Sequence, residues 1–235
     1  MYTDYDGAGD FDSPTDVWGT TAKYIGHFIT DANDSSANAN HGTVTGATLT
    51  ADEDYLGGAC YYFGGDGDKI TLGNIDFRNS TTIVQFNPEF DDVGNILGTL
   101  IAHELGGDRD ALMYVVTVAG GDYKKLDNVP KDSDGNLLHR NSVATVTDGV
   151  NYGFFWVNSG TSHSTQLNAN TKYTNSHAKT IDTPNVDTII GTLGLANDDY
   201  KGKIGFVWIF SDIKSDDWIK AVYNNQENYL LFQVC

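Results

Sequence analysis

Apolar and polar positions alternate in short runs along most of this chain, the spacing of half-buried β-strands rather than of helices. The pattern predicts strands over residues 22–29, 42–50, 59–63, 69–72, 80–86, 94–103, 111–118, 141–147, 152–157, 188–191 and 203–210. Between them lie turn-forming segments rich in Gly, Asp and Asn. Gly64-Gly-Asp-Gly-Asp68 and Asp148-Gly149 have the composition of hairpin turns. One helix is expected, Ser215 to Tyr223. Ser215 suits the N-cap, Asp216 and Asp217 complement the helix dipole, and Trp218, Ile219 and Val222 form a short apolar face. Many short strands, frequent glycine turns and one late helix read as an all-β sandwich.

At 235 residues the chain fits one large β-domain. Residues 1–20 read as an irregular arm, rich in Asp and Gly and carrying Tyr2, Tyr5, Phe11, Val17 and Trp18; residues 21–235 form the sandwich. The apolar anchors predict an arm docked on its own domain or on a neighbouring subunit of a homo-oligomer or larger particle. No apolar run is long enough for a membrane-spanning helix. The first residues lack the basic and apolar regions of a secretory signal.

Charge narrows the partners. There are 14 basic against 32 acidic residues, a net charge of -18, and a field of that sign repels nucleic-acid phosphates. The acid is nearly all Asp, with only Glu53, Glu89, Glu104 and Glu227 as Glu. Asp marks turns and suits hard cations. Cys60 and Cys235 are too few for a disulfide framework. Cys60 reads as a small buried residue and Cys235 as a free thiol, with a bridge between them the lesser reading.

Catalytic motifs are sparse. No strand carries the carboxylate pair of a glycosidase. His103-Glu104 lacks the second histidine of a zinc motif, since position 107 is Gly. No nucleophile elbow or phosphate loop is present. Asp132-Ser-Asp-Gly-Asn136 reads as a β-turn rather than an EF-hand. The candidate metal set is Asp31, Asn33, Asp34, Asn38 and Asn40, oxygen-bearing side chains close enough together for one Ca²⁺; the alternative is an Asx-turn loop closed on its own backbone. Sugar binding calls for aromatic faces beside amide and carboxylate groups. Trp156 and Trp208 read as core, while Trp18, Tyr24, Tyr123, Tyr152, Tyr173 and Tyr200 lie where a ligand could reach.

Four segments in order resemble the laminin G-like, concanavalin A-like jelly-roll family. They are Asp34-Ser-Ser-Ala-Asn-Ala-Asn-His-Gly42, the stretch from Leu56 to Ile70, the stretch from Val146 to Asn158, and the closing strand and helix. The last keeps Gly202, Ile204, Val207, Ile209, Phe210, Ser215 and Ile219, but has Gly205-Phe206 where the family has an acidic pair. The resemblance implies a two-sheet antiparallel jelly-roll sandwich with one short C-terminal helix and adjacent first and last strands. It also implies a structural Ca²⁺ near the 31–42 loop, and a role in binding, often of a glycan, rather than catalysis. The expected function is a non-catalytic attachment or assembly module at an extracellular or virion surface, such as a tail fibre or capsid decoration. A carbohydrate-binding module of a secreted enzyme or adhesin, and a glycan-active enzyme, are the alternatives.

Overall fold

The computed structural model describes residues 17–52, 54–55, 58–89, 97–105, 108–117, 124–128, 130–132, 134, 136, 144–181, 186–194 and 199–227. In chain order the elements are β1 (Ala22–Gly26), β2 (Thr43–Thr45), β3 (Thr48–Ala51), β4 (Ala59–Gly64), β5 (Lys69–Thr71), β6 (Asn79–Pro88) and β7 (Leu97–Leu105). There follow β8 (Asp108–Thr117), β9 (Lys124–Asn128), β10 (Ala144–Thr145), β11 (Tyr152–Ser159), β12 (Ser162–Leu167), β13 (Tyr173–Ser176), β14 (Thr188–Ile190), β15 (Lys201–Phe210) and the helix α1 (Asp216–Glu227).

These strands form two antiparallel sheets. Sheet A runs β13-β12-β11-β6-β15-β4-β3, with β1 also paired to β15; sheet B runs β10-β9-β8-β7-β14-β5-β2. Strand β15 organises sheet A. One of its edges pairs with β6 throughout. The other is shared, with Lys201–Ile204 on β4 and Val207–Phe210 on β1. Ile25 lies opposite Trp208, so the first and last strands are adjacent as expected.

Period-two alternation sorts the side chains of sheet A. Phe154, Trp156, Val84, Phe86, Ile204, Val207 and Ile209 face sheet B and share a core with Ile70, Leu100, Ile101 and Ile190. Ile83, Phe155, Val157, Phe206, Trp208 and Phe210 face outward and bury against Ile219 of α1, with Trp218, Val222 and Tyr223 packed around them. Ile204 points in and Phe206 points out because the register shifts between them. This bulge at Gly205 re-aims the rest of β15. Ser215 caps α1 as predicted, its Oγ accepting from Trp218 N at 3.2 Å. Asp216 and Asp217 occupy the first turn, and the helix runs four residues beyond the predicted end at Tyr223.

The two predicted hairpins are turns, but they close no hairpin. β4 belongs to sheet A and β5 to sheet B; β10 belongs to sheet B and β11 to sheet A. Each turn therefore carries the chain across the sandwich. At the first, Gly65, Asp66 and Gly67 all have positive φ (86°, 57° and 83°), and Asp68 Oδ2 accepts from Gly64 N at 2.7 Å. Two side-chain-free residues and an Asp tolerate that conformation where most residues would not. The 42–50 segment likewise divides into β2 in sheet B and β3 in sheet A. β9, β12 and β13 were absent from the sequence reading.

Candidate functional site

The outer face of sheet A has two halves, and they differ in chemistry. From the Gly205 bulge toward Phe210 it is aromatic and lies under α1. On the other side a row of polar side chains crosses four strands and ends at the residue before a fifth. The register places Thr48 (β3) opposite Tyr62 (β4), Tyr62 opposite Lys203 (β15), and Lys203 opposite Asn87 (β6). Asn87 Nδ2 donates to Asn151 Oδ1 at 2.8 Å, which carries the row to the start of β11. Thr48 is exposed; Tyr62, Asn87, Asn151 and Lys203 are half-buried. Residues directly opposite on antiparallel strands project from one face about 5 Å apart, so the row is a continuous strip.

Pairing holds the strip in place. Tyr62 Oη donates to Glu89 Oε2 at 3.0 Å, and Lys203 Nζ donates to Asp52 Oδ2 at 2.8 Å. The Asp52 hydrogen bond raises the Lys203 pKa against the opposing effect of burial. Beside the strip, Tyr55 lies over the Gly205 bulge. A Cβ at Gly205 would collide with the Tyr55 ring and with Gln85 Oε1, so only glycine fits there. Tyr55 is buried. Burial raises its pKa far above the usual phenol range. Cys60, on β4, is a buried free thiol whose pKa is pushed up to about 11, chiefly by burial and secondarily by Asp52. It is therefore protonated at neutral pH and poorly nucleophilic.

The five predicted metal ligands lie elsewhere, in the loop after β1, and the structure brings them together around backbone donors. Asp34 Oδ1 accepts from Ile25 N at 2.9 Å and Ser36 N at 2.8 Å. Its Oδ2 accepts from Ser36 Oγ at 2.7 Å and Asn40 N at 2.9 Å. Asp31 takes both Asn33 N at 2.9 Å and Asn33 Nδ2 at 2.6 Å. Asn38 Nδ2 donates to Ala22 O, and Asn40 Nδ2 donates to Lys23 O at 2.7 Å. In this arrangement both Asp34 oxygens are occupied by donors. A cation needs free oxygens converging on it, and here N–H and O–H groups converge on the Asp34 carboxylate. The loop closes as an Asx-turn network. Among the described residues no group of three or more His, Cys, Asp or Glu is placed to hold a metal.

The other sequence candidates separate in the same way. Trp156 is core. Trp208 is buried, but on the outer face, against Trp18 at 5.2 Å and His27 at 5.7 Å. Tyr24 and Tyr200 are buried and out of a ligand's reach. Tyr173 is exposed on β13; Tyr123, Cys235 and residues 1–16 lie outside the described residues. His103 sits on β7, its Nε2 within 3.0 Å of Val186 O. Asp132 Oδ1 accepts from Asp134 N at 3.0 Å and Asn136 N at 2.9 Å, a turn as expected. The sequence reading missed the Tyr62–Lys203–Asn87 row. Its residues lie far apart in the chain, and only the pairing of β4, β15 and β6 assembles them.

No protein-family model and no curated protein matches the chain. Solved structures do. Domain 4 of AbnA, a GH43 extracellular arabinanase from Geobacillus stearothermophilus, in complex with arabinotriose, is 13% identical with a TM-score of 0.64, over 86% of this chain and 99% of that one. The binding domain of Paraclostridial Mosquitocidal Protein 1 is 14% identical with a TM-score of 0.68, over 87% of this chain and 52% of that one. The receptor binding domain of botulinum neurotoxin D is 13% identical with a TM-score of 0.65, over 88% and 53%. The chain thus spans about half of the toxin binding domains and nearly all of the arabinanase domain. At such identities the likeness establishes architecture: the chain is a two-sheet jelly-roll sandwich of a kind these domains share, with no specific tie to the laminin G branch.

Proposed function

We propose that this protein is a non-catalytic binding module whose polar strip on sheet A holds a neutral, soluble glycan chain. The observation that carries the reading is the Thr48–Tyr62–Lys203–Asn87–Asn151 row, which crosses four strands, ends just before β11 and is held by pairing with Asp52 and Glu89. Sugars are recognised by rings against their apolar faces and by amides and charges against their hydroxyls. The strip offers both kinds of group, already ordered, so binding costs little side-chain entropy.

Its chemistry narrows the ligand. Lys203 is matched locally by Asp52 and Glu89, and the chain carries a net charge of -18, which disfavours an anionic polysaccharide. Tyr62 is the one ring in the row, too little for the flat aromatic platform that a crystalline surface needs. A single dissolved chain read at its hydroxyl edges fits best. The likeness, over 86% of this chain, to a domain whose structure is a complex with arabinotriose supports this reading. A module of this kind serves attachment in a virion or an adhesin and substrate capture in a secreted enzyme through the same face. As a non-enzyme, it uses Asp52 and Glu89 as hydrogen-bond acceptors that brace the strip.

Calorimetric titration of the intact chain against neutral soluble, anionic and insoluble crystalline polysaccharides tests this. Binding to a neutral soluble glycan is expected, weakened at least tenfold by Tyr62→Ala or Asn87→Ala with the fold unchanged. Binding indifferent to both substitutions, or no binding in any class, rejects the site. Sustained release of reducing sugar, abolished by Asp52→Asn or Glu89→Gln, would make the protein an enzyme instead.

A further inference from the structure

At the end of the sandwich remote from the polar strip, the interior itself turns polar. Trp156 on β11 lies opposite Thr165 on β12 and opposite Thr82 on β6. One step further along the same face, Asn158 lies opposite His163 and Ser80. Phe154 and Trp156 belong to the core between the sheets, so the alternation aims Asn158, Thr165, His163 and Thr82 inward too. Sheet B contributes Thr188, which lies opposite His103 on β7. Phe77 fills the space between, stacked on Trp156 at 5.7 Å and tilted to His103 at 5.6 Å.

These side chains are almost wholly shielded from solvent, none above 1% exposed. Some of their polar atoms are satisfied. The Phe77 carbonyl accepts from Ser80 Oγ and from Asn158 Nδ2, each at 2.9 Å. Thr82 Oγ1, Trp156 Nε1, Asn158 Oδ1, Thr165 Oγ1, Thr188 Oγ1 and both ring nitrogens of His163 have no protein partner. Buried polar atoms are almost always hydrogen-bonded, and each exception needs a physical reason. Seven in one contiguous block share one.

We infer that this block is an internal hydration site, in which ordered water molecules bridge Thr82, Trp156, Asn158, His163, Thr165 and Thr188. Water matches the mixed demand. The indole only donates, the amide oxygen only accepts, and the hydroxyls do both. Burial, and then the neighbouring His177, lower the His163 pKa to about 4, so its imidazole is neutral at pH 7 and offers one donor and one acceptor. A water that finds two to four polar partners is stably held inside a protein. A larger ligand has no entrance, because the lining is closed to solvent. Exchange with bulk has a route at the sheet edge, where His163 stacks on the half-buried His177 at 5.5 Å.

Water–protein nuclear Overhauser effects on the wild-type chain, together with an atomic-resolution crystal structure, test this. Cross-peaks from long-lived water to the Trp156 indole proton and the Thr82 and Thr165 methyls are expected, with density bridging the same atoms. Thr165→Val and Thr82→Val, nearly isosteric, should each lose their own cross-peaks while retaining the far-UV spectrum. A dry interior in the crystal, with these atoms bonded to one another through other rotamers, overturns the inference. So does the absence of long-lived water signals from the wild type, a measurement that needs no variant to fold.

Discussion

The two halves of the outer face of sheet A share strands β6 and β15 and solve opposite problems. Beyond the Gly205 bulge, Ile83, Phe155, Trp208 and Phe210 are large and apolar, and α1 covers them. On the near side, Lys203, Asn87 and Tyr62 occupy the equivalent outward positions and are held by ion pair and hydrogen bond. The first half is a second core, valued for area removed from water. The second is a surface whose side chains are ordered without being sealed. A single strand can supply both because one extra residue at the bulge changes which side chains face outward.

The largest effect should come from the sealed half. Phe155→Ala removes a fully buried ring packed on Tyr223 of α1 and should cost about 3–5 kcal/mol, read by denaturant melts. Tyr62→Ala in the open half should cost far less while reducing glycan affinity. Equal losses of stability from the two would erase the distinction. At the boundary, Gly205→Ala should destabilise by about 1–3 kcal/mol through overpacking against Tyr55. A neutral result there would mean that the bulge is softer than its packing implies. Ser215→Ala, which removes the cap of α1, should cost about 1 kcal/mol. It should loosen only the covered half, visible as faster amide exchange in β11 and β15 beneath the helix.

The smallest effects are electrostatic. The Lys203 pKa is raised in the folded state. Its ion pair therefore contributes stability that is fully present below the unfolded lysine pKa and is lost as pH rises through the raised folded value. An alkaline melt series should show this extra loss in the parent and not in Lys203→Met. Chelator or millimolar Ca²⁺ should leave the melting temperature of either half unchanged, since donors already occupy the Asp34 carboxylate. A rise with Ca²⁺ would establish the cation at the Asp31–Asn40 loop.

Local signals in the sequence carried far, but only to the reach of local physics. The cap at Ser215, the alternation in β6 and the presence of a turn at 64–68 were legible because each depends on neighbours in the chain. What failed was non-local. Gly64–Asp68 and Asp148–Gly149 have hairpin composition, yet composition specifies that the chain turns, not which sheet receives it. The arrangement of the Asp31–Asn40 side chains was hidden for a similar reason. Five oxygen-bearing side chains define a cluster, and only the fold decides whether their oxygens meet a cation or the N–H groups of Ile25, Ser36 and Asn40. The polar strip was illegible outright, because Tyr62, Asn87 and Lys203 become neighbours only through strand pairing.

The position of β15 also has a temporal side. It pairs with β6, β4 and β1, yet among the described residues it is the last strand made. During synthesis β1, β4 and β6 emerge from the ribosome long before the strand that joins them, and their edges wait unpaired. Folding dominated by such distant pairings is slow, and waiting edges invite association with other chains. Sheet A therefore closes only once Lys201–Phe210 is available to join β4, β6 and β1, and a chain cut upstream of Lys201 leaves those three edges open.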